Sequence, residues 1–204
     1  MTDEVYRPLV AFDFDGTLTC RDSFIAFLIW RAGPARFALG LARLIPAGLG
    51  YLRHHHRGIA KAAMVGEFLR GAPRVTLEAE ATRFAAVAGR RLLRPDAMRR
   101  WRAWRNEGAR LVIVTASPET LIAPFAHGLG ADLLIGTRLA FDEDDRVVGA
   151  FVGANCRGRE KVIRLEEAFG ADMRLEAAYG DSDGDREMLA AARTSGYRVF
   201  GERP

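Results

Sequence analysis

The run Phe12-Asp13-Phe14-Asp15-Gly16-Thr17-Leu18 constrains this chain more than any other stretch. It follows Leu9-Val10-Ala11, a short apolar segment that reads as a buried strand. On a strand, the side chains of Asp13 and Asp15 project to one face. Two carboxylates side by side at the end of a buried strand repel one another and lose hydration, so they demand a cation or a proton. A fold that tolerates them must bring partners to that strand end from distant parts of the sequence.

The next eighty or so residues show no strand-like alternation. Apolar helical patterns cover 24–30, 37–44, 59–69 and 76–93, with a break at Gly33-Pro34 and further interruptions expected at Pro46, Gly48 and Gly50. Thr76 is the expected N-cap of the last of these, with Glu78 and Glu80 in its first turn. From Arg94-Pro95 the pattern alternates. Helices are expected over 96–107, 160–169 and 186–192, and another runs to about His127 from an N-cap at Ser117 with Pro118 at the first helical position. Trp101 and Trp104, three apart, are expected to pack one helix against the sheet. Strands are expected over 110–115, 133–135, 177–180 and 197–200, with a hairpin of 139–141 and 147–152 around the acidic turn Asp142-Glu143-Asp144-Asp145. Strands alternating with helices predict an α/β fold with a doubly wound, mainly parallel, Rossmann-like sheet. The expected division is a core of 1–18 and 95–204 with an all-helical insert over 19–94.

Composition narrows the class. With 204 residues, 49% hydrophobic and 27% charged, the chain reads as a globular protein large enough for a substantial core. The net charge is +4, and much of the Arg lies between Arg31 and Arg105. Arg90-Arg91 and Arg99-Arg100 lack any accompanying nucleic-acid motif and read as solvated faces, so no nucleic-acid partner is expected. Two cysteines, Cys20 and Cys156, give no disulfide framework and fit a reducing compartment; both neighbour motif residues and are expected near the pocket entrance. His54-His55-His56 reads as a solvated edge, since adjacent helical positions point different ways. The acidic N-terminus lacks the basic-then-apolar signature of a leader, and a cytoplasmic location is expected.

In a doubly wound sheet, ligands bind beyond the carboxyl ends of the strands. Four polar clusters fall at that edge: Asp13 with Asp15, Thr115 with Ser117, Lys161 at a helix start, and Asp181 with Asp185. Carboxylates from two strand ends form a hard oxygen site suited to Mg²⁺, and a hydroxyl and an ammonium opposite suit phosphate oxygens. An Asp beside such a phosphate can attack phosphorus, while a second carboxyl protonates the leaving oxygen and then activates water.

Asp13-Phe14-Asp15-Gly16-Thr17, Val114-Thr115-Ala116-Ser117, Lys161 and Gly180-Asp181-Ser182-Asp183-Gly184-Asp185 resemble, in order, the four motifs of the haloacid dehalogenase superfamily of phosphatases and phosphotransferases. The resemblance implies Asp13 as nucleophile and Asp15 as general acid/base. It implies Mg²⁺ held by Asp13, the Asp15 carbonyl and Asp181, with Asp185 in the shell behind, and a phosphoryl group held by Thr115, Ala116 and Lys161. The second Asp favours phosphate esters over haloacids, because a halide leaving group needs no proton. The helical insert resembles the type 1 cap of the phosphoserine phosphatase-like subgroup. Asp22 falls where those enzymes carry a Glu that meets the substrate amino group, so Asp22 and Ser117 are candidate substrate contacts. Gly16 in place of their Ser, and Thr115-Ala116-Ser117 in place of their Ser-Gly-Gly, depart from that subgroup.

The stretch Asn155-Cys156-Arg157-Gly158-Arg159-Glu160-Lys161-Val162, with the apolar, Arg-dotted insert, resembles the phosphatidylglycerophosphatase C family. That implies a phospholipid phosphate substrate and peripheral contact with the inner membrane face, alongside the alternative of phosphoserine or another small phosphorylated metabolite. Phe24, Phe27, Leu28, Trp30 and Leu39 with interleaved Arg would suit an anionic surface, whereas Arg31, Arg36 and Arg43 keep every apolar run too short to span a bilayer. A non-enzymatic alternative, a phosphorylatable receiver-like module, shares the Asp, Thr, Lys and Mg²⁺ but not the second Asp or the large insert.

Overall fold

The computed structural model describes residues 7–54 and 57–204, with backbone alone over 45–54 and 57–59. His54-His55-His56 lies outside the residues whose side chains are described. The chain runs β1 (Leu9–Phe12), α1 (Ser23–Ala32), α2 (Pro34–His54), α3 (Arg57–Leu69), α4 (Arg74–Leu92), α5 (Pro95–Asn106), β2 (Arg110–Pro118), α6 (Glu119–Leu129), β3 (Leu133–Phe141), β4 (Val147–Val152), α7 (Arg159–Phe169), β5 (Leu175–Gly180), α8 (Arg186–Ala190) and β6 (Ala192–Tyr197). Six strands form one sheet in the order β4-β3-β2-β1-β5-β6. All neighbours are parallel except β3 and β4, which form the expected antiparallel hairpin.

β1 is central because all four of its residues are buried, which requires cover on both faces. Its side chains alternate between two apolar clusters. Val10 and Phe12 join Leu111, Ile113, Trp101 and Phe125, while Leu9 and Ala11 join Val112, Val114, Leu165 and Met188. Phe12 pairs with Ile113 on one side and Tyr179 on the other. That register brings Asp13, the end of β2 and the end of β5 to one level. After β1 the chain builds β2, β3 and β4 to one side and returns for β5 on the other, so the carboxyl end of β1 is a topological switch point, where such sheets bind ligands.

Of the helices that follow β1, α1 and α4 pack on the core through aromatic rings. Phe14 meets Phe125 at 5.3 Å, Phe125 meets Phe84 at 6.0 Å, and Phe84 meets Phe27 at 5.5 Å. Backbone bonds add a second attachment, as Gly71 donates to the Val147 carbonyl and Val147 to the Ala72 carbonyl, at 2.8 and 3.0 Å. Trp101 and Trp104 pack α5 on the sheet as expected: the Trp101 ring lies 5.1 Å from Phe12, and Trp104 Nε1 donates to the Tyr179 hydroxyl at 2.9 Å.

Four local expectations are corrected. α2 runs through Pro46, Gly48 and Gly50, because local penalties of about 3 kcal/mol for Pro and 1 for Gly do not outweigh a long helical ladder. The N-cap of α4 lies three residues before the expected one: Pro73 occupies it, Thr76 is helical, and Glu80 pairs with Arg31 at 2.7 Å. Ser117 lies within β2, next to its last residue, and does not cap α6, whose N-cap is Pro118. The last strand is Ala192–Tyr197, a polar sequence, since a largely exposed edge strand has no core face to fill.

Asp132 clamps the entry to β2. It accepts from the Leu111 N–H and from Arg105 Nη1, both at 2.8 Å, and from Arg7 Nη2 at 3.4 Å. Burial opposes its charge, but these donors hold its carboxyl below the ordinary carboxylate range. A lowered folded-state pKa stabilises above the unfolded value and is lost as pH falls through the folded one. Asp132→Ala is therefore expected to cost about 1–3 kcal/mol in urea titrations at pH 7, and the difference should shrink as pH drops below about 4.

Candidate active site

The sharpest feature at the carboxyl edge of the sheet is the ammonium of Lys161. Lys161 enters from the first turn of α7 and is fully buried. Its Nζ donates to Asp13 Oδ1, Asp185 Oδ1 and the Val114 carbonyl, each at 2.6 Å. One cation thus neutralises carboxylates after β1 and β5 and ties both to β2. Burial works against the Lys161 charge, but Asp13 and Asp185 more than offset it and raise its pKa. The Asp13 pKa is raised as well, here because burial dominates: it pushes the carboxyl up to about 7, with Lys161 pulling it down and Asp185 pushing it further up.

Asp185 organises the loop after β5. Its Oδ2 accepts from the Asp181 N–H, the Ser182 N–H and the Ser182 hydroxyl at 3.2, 2.9 and 2.8 Å. With Lys161 on Oδ1, both of its oxygens are engaged, and these bonds hold its pKa low against burial. Asp181 receives only the Thr17 hydroxyl, at 3.4 Å, and burial and the nearby Asp185 raise its pKa. Ligand oxygens of Asp13, Asp181 and Asp185 lie within 4.8 Å of one another. Among the described residues no donor reaches Asp13 Oδ2 or Asp181 Oδ2. Hard oxygens left without a proton donor in a repulsive carboxylate cluster fit a small divalent cation such as Mg²⁺.

Gly16 explains how the chain passes so close. Its φ is +87°, and a Cβ there would sit 2.3 Å from Asp181 Oδ2. A Ser at this position would strain this turn and require the Asp181 carboxylate to shift.

Asp15 points toward the helical insert. Its Oδ1 accepts from the Ser23 N–H at the start of α1, at 2.7 Å, and its Oδ2 accepts from the Ser117 hydroxyl. Lys61 of α3 donates in turn to Ser117 Oγ and to the Ala116 carbonyl, both at 3.2 Å. Asp22 caps α1 by accepting from Ile25 N at 2.8 Å. Burial raises its pKa, as does Asp15, with Lys61 opposing.

A cavity of about 450 Å³ opens onto this cluster. Asp13, Asp15, Asp22, Thr115, Ala116, Lys161, Asp181 and Asp185 all line it. Ser117 is buried behind the wall, with its hydroxyl committed to Asp15 and Lys61. Sequence reasoning missed the cations at the mouth, Lys61 and Arg157, together with Met64 beside Lys61. No motif marks Lys61: only the fold of the insert carries it to the sheet edge. The cysteine expectation is corrected, because neither thiol lines the cavity. Cys156 is buried beneath it, its thiol pushed up to about 11 by burial, and Cys20 sits at the insert's base near the Arg91 carbonyl.

Comparisons with known proteins agree with this geometry. The family model described as haloacid dehalogenase-like hydrolase matches residues 10–190. Protein CicA of Caulobacter vibrioides (strain NA1000 / CB15N) is 57% identical over 206 residues, covering 100% of this chain and 92% of that protein. A crystal structure of a Bordetella pertussis Tohama I protein, described as of unknown function, superposes with a TM-score of 0.75 at 26% identity, over 92% of this chain and 87% of that one. A phosphoserine phosphatase described as a phospho-aspartyl intermediate analogue has the same fold, with a TM-score of 0.62 at 20% identity, covering 93% and 85%.

Two outcomes test this description. Lys161→Met removes the only cation bonded to Asp13 and Asp185 among the described residues, and is expected to cost about 3–5 kcal/mol of stability in metal-free buffer, read by urea unfolding. In the native protein at pH 8, alkylation should leave Cys156 unmodified, with full labelling only after denaturation, by intact mass.

Proposed function

The chain belongs to the haloacid dehalogenase-like hydrolase family, and from that premise we propose that it is a Mg²⁺-dependent phosphomonoesterase that works through an aspartyl-phosphate on Asp13. The observation that carries this reading is the convergence of Lys161, Asp13 and Asp185 at 2.6 Å in a cavity that also holds Asp15 and Thr115.

In this reading the Thr115 hydroxyl, the Ala116 backbone and the Lys161 ammonium hold the phosphoryl oxygens and place phosphorus beside Asp13. An Asp13 oxygen attacks phosphorus, the bond to the ester oxygen breaks, and the departing oxygen takes a proton from Asp15. Asp15, now a carboxylate, accepts a proton from water as that water attacks phosphorus. The Asp13–phosphorus bond then breaks and inorganic phosphate leaves. Mg²⁺, held by Asp13, the Asp15 carbonyl and Asp181 with Asp185 behind, would draw off charge building on the phosphoryl oxygens. The Ser23 N–H and the Ser117 hydroxyl on the Asp15 carboxylate orient that group for both proton transfers.

The substrate class this reading favours is a phospholipid phosphate such as phosphatidylglycerol phosphate. Lys61 and Arg157 line the same cavity and supply cations in addition to Lys161, which suits a leaving group carrying its own anionic phosphodiester. Asp22 at the same mouth supports a second reading, a small phosphorylated metabolite bearing an amine, such as phosphoserine.

Asp13→Asn is expected to abolish Mg²⁺-dependent phosphate release from an aryl phosphate and from phosphatidylglycerol phosphate, with an unchanged circular dichroism spectrum. Asp15→Asn should lower turnover by about 10²–10⁴-fold. Normal release by the Asp13 variant, or full activity in EDTA, contradicts the proposal. A panel that includes phosphoserine and sugar phosphates separates the lipid from the small-metabolite reading.

A further inference from the structure

Residues 23–66 contain no Asp or Glu, although the chain as a whole carries 26 acidic residues. The same segment holds Arg31, Arg36, Arg43, Arg53, Arg57 and Lys61. Within it, α1 and α2 meet in an elbow at Gly33, whose φ of +78° turns the chain so that the two helix axes differ by 115°. One face of α2 is spent on internal packing: Phe37 stacks on Phe68 at 5.3 Å, and Gly40 lies where any side chain would strike the Phe68 ring. The opposite face is also apolar. Ala35, Ala38, Leu39 and Ala42, at helical spacing, are exposed, flanked by Pro34 and Leu41. Leu39 is 50% exposed and Leu41 41%, and across the elbow Ile29 and Trp30 are 39% and 40% exposed. Among the described side chains of α2, charge lies at the edge, where Arg36 and Arg43 lean toward Glu67 and Arg43 stays open to solvent.

A helix apolar on both faces normally has both covered. We infer that the outward face of the α1–α2 elbow docks on an anionic phospholipid bilayer, with Trp30, Ile29, Leu39 and Leu41 entering the headgroup boundary and the flanking arginines meeting lipid phosphates. Three observations select this occupant. The outward residues are apolar and edged by Arg, with Glu67 the carboxylate that Arg36 and Arg43 share, a charge pattern that suits an interfacial helix. No single helix among the described residues is long and apolar enough to span a bilayer, and α1 with the start of α2 reaches that length only across the 115° bend, a shape suited to an element seated at the interface. A symmetric contact with a second copy would set basic edge against basic edge, the neighbouring Glu67 and Glu80 being already paired with Arg36, Arg43 and Arg31, whereas anionic headgroups would meet the exposed Arg43. The docking layer is continuous with the cavity wall, since α3 contributes Lys61 and Met64 to the mouth.

Flotation of the full chain with vesicles tests this without any turnover, so its outcome is independent of the proposed phosphatase activity. Protein is expected to float with phosphatidylcholine–phosphatidylglycerol vesicles and to stay behind with phosphatidylcholine alone. Trp30 emission should shift to the blue on binding, and Trp30→Phe should remove that shift, because Trp101 is already buried and Trp104 is bonded to Tyr179. The pair Leu39→Glu and Leu41→Glu should weaken binding by about tenfold or more while leaving aryl phosphate hydrolysis unchanged. No flotation with anionic vesicles overturns the inference, as does equal binding to neutral ones. A dimer in solution that the same pair dissolves, with no vesicle binding, assigns the face to a second copy and also overturns it.

Discussion

A single buried ammonium holds the functional end of this molecule together. Lys161 bridges a carboxylate after β1, a carboxylate after β5 and a carbonyl of β2, all at 2.6 Å. Desolvating three charges is costly, and the arrangement persists only if its supports fix the geometry. α7 and the segment before it provide them. Arg164 donates to the Gly136 and Ala154 carbonyls, Glu160 steadies Arg164 at 2.8 Å, and Gly158 N–H donates to the Gly184 carbonyl at 2.8 Å. Asn155 accepts from Thr137 at 2.8 Å, which locks the same segment to β3. The site is rigid because the cation is anchored through four separate elements.

The helical insert is tied to this centre by both polar and apolar links. The Asp15 carboxylate is shared among the β1 loop, the first N–H of α1 and the Ser117 hydroxyl, which Lys61 of α3 also engages. Beneath it, Phe14, Phe125, Phe84 and Phe27 form one run of ring contacts from the core into the insert. The insert therefore helps to set the carboxyl that moves protons in the proposed reaction, besides walling the cavity.

Legibility in the sequence followed physical locality. The strands of the core, the paired Asp13 and Asp15, and the acidic loop after β5 were readable because each rests on contiguous residues with strong rules: buried β-branched runs, like charges at a strand end, glycines at tight approaches. Lys161 was found only because it stands in an ordered set of motifs, as a lone lysine is ordinarily a surface one. Lys61 and Arg157 could not be found, since their place depends on how distant helices and loops pack. Thr76 and Ser117 misled because a hydroxyl near a helix start is a local cue. Packing moved one helix three residues earlier and gave the other hydroxyl to Asp15. The polar edge strand Ala192–Tyr197 carries no burial signal at all.

In the proposed reaction Asp13 is the residue that carries the phosphoryl group. An acyl phosphate trapped during turnover and reduced with borohydride converts its aspartate to homoserine, which peptide mass spectrometry locates residue by residue. Rapid quenching with substrate and Mg²⁺ present is predicted to place homoserine at residue 13 alone. Homoserine at residue 15, or phosphate released through rapid turnover with residue 13 unmodified under trapping conditions that capture a known acyl phosphate, would contradict it.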